Sequence, residues 1–209
     1  MLQLKVFPFN PLQVNAYLIY DNNRAGILID PSCLNQSEFK ELKDFISLKN
    51  IKLDYQINTH GHFDHVFGNG MVKSEYNPKF LIHQGDEAFL RMAGDQARSF
   101  GFGFEDEMPI PDGFLSDGET VSAGDIHLKV ICVPGHSQGS VAFYEASEGW
   151  LFSGDTLFAG GIGRTDLRGG NYDQIMVSIR TRLMTLPSET LVFPGHGPQT
   201  TIGHESPDF

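Results

Sequence analysis

Apolar residues along this chain come in short runs that repeatedly stop at a glycine or at a turn-forming cluster. Alternating or continuous apolar positions at 2–7, 13–20 and 25–30, separated by Pro8-Phe9-Asn10-Pro11 and Asp21-Asn22-Asn23, predict three short antiparallel strands. A helical period follows, with Phe39, Leu42, Phe45 and Ile46 on one face, Lys40, Lys43 and Lys49 on the other, and Asn35 and Glu38 at capping-box spacing. Residues 53–58 read as a strand, 66–75 as a helix weakened by Gly68 and Gly70, 79–83 as a strand and 86–92 as a short helix. From 93 to 112 the period is lost, and Ser99-Phe100-Gly101-Phe102-Gly103-Phe104-Glu105-Asp106-Glu107 reads equally as a flap over a substrate or as rings packed on the core. The second half repeats the logic with strands at 119–122, 126–133, 140–144, 150–153 and 191–193. Its helix spans 172–184, with Asn171 as N-cap and Ile175, Ile179, Leu183 and Leu186 facing inward. Strands followed by a helix, twice over, predict two β-rich layers covered by helices, an α/β (α+β) chain with residues 1–209 as one domain.

Composition narrows the function classes. The 209 residues suffice for a sizeable core, and 40% hydrophobic with 20% charged residues is ordinary for a globular protein. A net charge of -11 argues against a nucleic-acid binder, which needs a basic face, but leaves room for a small anionic substrate held by a local arginine. Pro8, Asn10 and Pro11 interrupt the N-terminal apolar run, so neither a signal peptide nor a membrane span is expected, and the expected location is cytoplasmic. Two cysteines are too few for a disulfide framework: Cys132, inside Val130-Ile131-Cys132-Val133, is expected to be a buried hydrophobe, and Cys33 follows Asp30-Pro31 in a polar loop.

The candidate chemistry centres on Thr59-His60-Gly61-His62-Phe63-Asp64-His65, where three imidazoles and a carboxylate follow an apolar strand within a few residues. Zinc and iron(II) take neutral imidazole, and a carboxylate supplies charge compensation. Three more runs end in a glycine and then a ligand-type side chain: Pro134-Gly135-His136, Ser153-Gly154-Asp155 and Pro194-Gly195-His196. Any one of these histidines alone would be a hydrogen-bonded strand-end residue. Four strand ends in one grammar point to a metal site at the carboxyl edge of a sheet. His83 also ends a strand, but without a preceding glycine, and is read as structural or as a residue standing behind the ligands.

These motifs, with Asn15-Ala16-Tyr17-Leu18-Ile19, Ile29-Asp30-Pro31 and Ile162-Gly163-Arg164-Thr165-Asp166, resemble the metallo-β-lactamase superfamily and, within it, the glyoxalase II-like hydrolases. The resemblance implies a four-layer αββα sandwich with the site at one edge. It implies two divalent metal ions, zinc first and iron or manganese as alternatives: His60, His62 and His136 on one, Asp64, His65 and His196 on the other, Asp155 bridging, and Asp30 orienting a ligand from behind. Asp64 and Asp155 would then serve catalysis by holding the cations whose bridging hydroxide attacks a small-molecule thioester such as S-2-hydroxyacylglutathione. Full-length glyoxalase II carries a C-terminal helical domain for glutathione, whereas this chain ends at Phe209 and has Arg164 where a lysine- and tyrosine-bearing segment would lie. In that glycine-rich loop Arg164 reads either as the residue that meets a substrate carboxylate or as the partner of Asp166.

The alternatives are a mononuclear iron persulfide dioxygenase held by His60, His136 and Asp155, a family that tends to have alanine where Gly195 stands, and a non-catalytic metal-binding protein on the same fold.

Overall fold

The computed structural model describes residues 1–104 and 108–209. β1 (Leu2–Phe9), β2 (Val14–Asp21) and β3 (Ala25–Ile29) form an antiparallel meander. α1 (Gln36–Lys49) then crosses to β4 (Lys52–Ile57), which lies parallel to β3. Helices α2 (Phe63–Val66) and α3 (Asn69–Tyr76) lead to β5 (Lys79–His83), and α4 (Glu87–Ser99) leads to β6 (Gly113–Leu115), each strand parallel to its predecessor. The first sheet therefore runs β1-β2-β3-β4-β5-β6.

The second sheet opens with the antiparallel run β7 (Thr120–Ala123), β8 (Ile126–Cys132), β9 (Val141–Glu145) and β10 (Trp150–Gly154). A small hairpin, β11 (Leu157–Phe158) with β12 (Gly161–Ile162), precedes α5 (Tyr172–Ser178), which continues as a π-helical turn over Ile179–Leu183. β13 (Leu191–Pro194) then pairs parallel to β10, and β14 (Thr200–Thr201) closes the edge before α6 (Ile202–Glu205). The order is β14-β13-β10-β9-β8-β7.

Four layers follow from which faces are apolar. Tyr17, Ile19, Ile27, Ile29 and Ile57 from one sheet meet Leu128, Val130, Phe143, Phe152 and Phe193 from the other in a central core. The opposite face of the first sheet, with Leu18 and Leu28, is covered by Phe39, Leu42 and Ile46 of α1. Ile131, Leu151 and Val192 on the outer face of the second sheet are covered by Ile175, Ile179 and Leu183. Because β2 and β3 are buried on both faces, they read as continuous apolar runs rather than as strict alternation. The result is the expected αββα sandwich.

Several local expectations change. β1 runs through Pro8 to Phe9, which an edge strand tolerates because the missing N–H has no ladder partner to lose. Asn35 caps α1 by accepting from the amides of Ser37 and Glu38, but the capping box does not close. Glu38 instead accepts from the Asn10 amide at 2.9 Å and the Leu34 amide at 2.7 Å, tying the helix to the first loop. The helix expected at 66–75 is two helices broken at Phe67 and Gly68, where a Cβ on Gly68 would lie 2.3 Å from Cys33 Sγ. The helix expected at 86–92 extends to Ser99, its inner face buried through Phe89, Leu90, Ala93 and Ala97. Cys132 is only half-buried, whereas Cys33 is fully buried in the core beneath α1. Phe102 and Phe104 pack on the core beside α4, Phe100 stacks on Phe63 at 5.2 Å, and Glu105, Asp106 and Glu107 of the same expected flap lie outside the described residues.

Candidate metal centre

The carboxyl ends of β4, β8, β10 and β13 meet at one edge of the sandwich. Backbone bonds lock them there: the Val141 amide donates to Thr59 O at 2.8 Å, the Gly195 amide to Gly154 O at 2.9 Å and the Asn15 amide to Gly195 O at 2.8 Å. Gly154 adopts φ 52°, and a Cβ there would sit 2.5 Å from Thr59 Oγ1, so only glycine lets the strand turn Asp155 inward.

Seven ligand-type side chains converge as two overlapping groups. Donor atoms of His60, His62 and His136 lie within 4.8 Å of one another, as do those of Asp64, His65 and His196. Asp155 lies between them: Oδ2 is 3.7 Å from His136 Nε2 and 3.6 Å from His196 Nε2, and Oδ1 is 3.3 Å from His65 Nε2. A third grouping of Asp30 with His60 and His65 falls within the same 4.8 Å. The Asp30 carboxylate is already engaged, accepting from the Thr59 amide at 2.7 Å, the Thr59 hydroxyl at 2.7 Å and Asn58 Nδ2 at 3.2 Å, so Asp30 stands behind the other ligand-type side chains.

That second layer fixes which ring nitrogen faces the centre. His65 Nδ1 is 3.0 Å from Asp30 Oδ2, His136 Nδ1 is 2.8 Å from Arg164 O and His196 Nδ1 is 2.9 Å from Leu12 O. His60 Nδ1 lies 3.0 Å from Thr59 Oγ1, whose proton goes to Asp30 Oδ2. Nδ1–H is thereby the donor in these four rings, and Nε2 is the atom that faces the centre. His62 is the exception, presenting Nδ1 2.8 Å from His136 Nε2. Asp30 serves both groups through His65 and the Thr59 relay, and holds φ 49°, a conformation few non-glycine residues keep without strong local bonds.

The polypeptide's electrostatics match a site for positive charge. Burial and the neighbouring imidazoles hold His60 well below the usual imidazole range, and burial with His136 pushes His62 down to about 3. His65 goes the other way: burial opposes its charge, but the carboxylates of Asp155 and Asp64 outweigh it and hold the ring well above its ordinary value. His196 is also raised, with the Asp64 hydrogen bond and Asp155 overcoming burial. Asp64 and Asp155 are correspondingly lowered despite burial, His65 being the largest favourable influence on each. Of the buried atoms without a hydrogen-bond partner among the described residues, two belong to the ligand-type side chains, His60 Nε2 and Asp155 Oδ1. An unsatisfied buried polar atom costs about 1–3 kcal/mol, and a bound cation removes that cost, so the donor set fits divalent metals.

Asp86 is a member of this region that the sequence did not single out. Fully buried, it accepts from the Gly61 amide at 2.8 Å, the Ser137 hydroxyl at 2.7 Å and the Gly139 amide at 2.7 Å. One carboxylate thus ties the turn between His60 and His62 to the loop carrying His136. Its only sequence signal is an acid just before a helix, which ordinarily reads as a cap; here it makes no cap bond. His83 is away from the centre, its Nδ1 accepting from the Gly85 amide at 3.1 Å.

A cavity of about 300 Å³ opens onto the ligand-type side chains His62, Asp64, His136, Asp155 and His196, walled by Leu12, Phe63, Phe89, Phe100 and Leu167, with Arg164 and Arg168 also lining it. Arg164 makes a two-pronged pair with Asp166, both contacts at 2.8 Å. A larger groove of about 630 Å³ beside α4 contains none of the ligand-type residues and carries none of this chemistry.

A family model described as the metallo-beta-lactamase superfamily matches residues 9–196. The chain belongs to that superfamily. It is 32% identical to Hydroxyacylglutathione hydrolase GloC of Haemophilus influenzae over 211 residues, which cover 98% of this chain and 95% of GloC. Among solved structures it superposes on BLEG-1 B3 metallo-beta-lactamase with a TM-score of 0.89 at 33% identity, covering 98% of this chain and 97% of that one. TTHA1623, solved in a di-iron-bound form, gives a TM-score of 0.86 at 35% identity, covering 97% and 96%. Membership makes the chain a metal-binding hydrolase by class, whose His and Asp clusters suit divalent ions. No helix among the described residues is long and apolar enough to cross a membrane.

Proposed function

We propose that this superfamily member hydrolyses small-molecule thioesters, with S-2-hydroxyacylglutathione as a representative substrate. His60, His62 and His136 would hold one divalent cation and Asp64, His65 and His196 a second, with Asp155 shared, zinc being the first candidate and iron or manganese the others. Bound there, the cations would supply Lewis acidity and hydroxide at neutral pH.

The observation that carries the substrate class is the make-up of the described cavity lining. Apart from the proposed ligands, the only polar side chains lining the cavity among the described residues are Gln96, Arg164 and Arg168. Neither an amide nor a guanidinium gives up a proton at neutral pH. A leaving group that departs without one fits this lining, which suits a thiolate, whose conjugate acid has a pKa of about 8.5, better than an amine. The remaining residues act on position: Asp30 and the Leu12 and Arg164 carbonyls hold ring tautomers, and the apolar walls exclude water from the reacting carbonyl. Similarity to a protein named hydroxyacylglutathione hydrolase supports the same class.

The test is a panel on metal-loaded protein: S-lactoylglutathione, a simple acetyl thioester, the matching oxygen ester, a β-lactam, and glutathione persulfide followed by oxygen uptake. The thioesters should exceed the β-lactam by at least about 100-fold in kcat/KM. Oxygen consumption with persulfide, or a β-lactam preferred to every thioester, would overturn the reading.

A further inference from the structure

Two arginines line the cavity, and their surroundings differ. Arg164 is engaged twice over: its guanidinium is clamped by Asp166 and its carbonyl accepts from His136 Nδ1. Arg168, four residues on, has no acidic partner among the described residues; its one polar contact is Nη1 to Met92 Sδ at 3.6 Å, a weak acceptor. The loop carrying both is fixed to the centre. At its start a Cβ on Gly163 would fall 1.7 Å from Asp155 O, and at its end the Asn171 amide donates to Gly135 O at 2.7 Å. Between these anchors Gln138 Nε2 donates to Gly169 O at 2.8 Å, and a Cβ on Gly169 would lie 3.5 Å from the Phe89 ring that walls the cavity. Arg168 therefore projects from a braced segment, beside an apolar wall, into the same cavity of about 300 Å³ that reaches the ligands.

We infer that Arg168, not Arg164, is the specificity residue of this site, and that it selects substrates carrying a carboxylate on the arm beyond the reacting carbonyl. An unpaired guanidinium gives a carboxylate a two-pronged contact without first having to break one, whereas Arg164 would have to surrender Asp166. In a chain of net charge -11, it is also a local cation where the overall field repels anions. The ligand class is thus amphiphilic: an apolar segment against Phe63, Phe89 and Leu167, and a carboxylate at the rim.

The inference builds on the thioester reading for its kinetic consequence, so its test includes binding without turnover. Calorimetry on metal-loaded protein would compare 4-(benzylthio)butanoate, a thioether that cannot be hydrolysed, with its primary amide. Arg168→Ala should weaken the carboxylate about 10-fold and leave the amide within about twofold, with metal content unchanged; Arg168→Lys should recover part of the loss. Arg164→Ala should weaken the carboxylate less than Arg168→Ala does. In turnover, Arg168→Ala should raise KM for carboxylate-bearing thioesters and spare neutral ones, with kcat retained. An unchanged carboxylate Kd in Arg168→Ala, equal losses for carboxylate and amide, or the larger loss in Arg164→Ala would each overturn the assignment. If no thioester is turned over while the carboxylate still depends on Arg168, the thioester reading fails and this assignment stands.

Discussion

Replacing Gly195 by alanine tests whether a single methyl group decides the centre. The backbone permits it, because Gly195 is not among the residues with positive φ. The side chain does not fit: its Cβ would lie 2.2 Å from Asp155 Oδ1 and 2.7 Å from His65 Cε1. Ordinary contact begins near 3.4 Å, so the carboxylate oxygen must retreat by about 1.2 Å, the difference between 3.4 and 2.2. Asp155 cannot retreat freely, since a Cβ on Gly163 would already collide with its backbone oxygen and Gly154 is pinned against Thr59. The displacement therefore falls on the shared carboxylate and on His65. Misplacement by 1 Å in a preorganised site costs on the order of 100-fold. Gly195→Ala should accordingly lower thioester kcat/KM by about 100-fold and reduce metal per chain after gentle desalting, while the melting temperature with metal removed stays within a few degrees. Elemental analysis, turnover and thermal melting read these quantities in one preparation. Wild-type metal content together with wild-type turnover would refute the claim that the contact sets Asp155. A folded variant that instead holds one metal per chain would show that the methyl group alone separates the dinuclear arrangement from the mononuclear one weighed in the sequence.

Metal loading should release protons from a particular half of the site. His65 is held well above its ordinary value by Asp155 and Asp64, so the proton that a cation must displace is held there, whereas burial holds His60 and His62 below theirs. Loading at pH 7 should expel about one proton or more per chain and weaken as pH falls, read by calorimetry in buffers of different ionisation enthalpy; a buffer-independent heat would count against it. Asp86→Ala removes an acceptor from three buried donors and should cost several kcal/mol of stability; Asp86→Asn, which can still accept, should lose less, and both should weaken metal binding by His62 and His136 more than by His65 and His196. The reverse order in metal-titration profiles would remove Asp86 from its positioning role. Among the thiols, Cys33→Ser places a hydroxyl in a fully buried apolar cluster and should cost about 1–3 kcal/mol, while Cys132→Ser, half-buried, should cost less; denaturant melts decide, with turnover expected to survive both.

The convergence of the ligand-type side chains was legible because its signal is local. An apolar run that ends in a small residue and then His or Asp states both where a strand stops and what it delivers, and His60, His136, Asp155 and His196 each obey that grammar. Helix faces were legible for the same reason, since Phe39, Leu42 and Ile46 are spaced by the helix's own period. Arg164 and Asp166 are also near neighbours, yet sequence alone left the choice between pairing and substrate contact open, because two side chains that can meet need not do so. Other features depend on what the distant chain brings up against a residue. Asp86 gains its role only when residues 25 and 51 positions away in Gly61 and Ser137 arrive at its carboxylate. Glu38 leaves its capping position because the Asn10 amide, 28 residues earlier, is the better-placed donor, and Cys33 is buried because α1 and α3 close over its loop. Local periodicity fixes the direction in which a side chain leaves the backbone, whereas burial and hydrogen-bond partnership are properties of a pair. The second member of such a pair is supplied by the packing of the two sheets and their helices, and no window along the chain contains it.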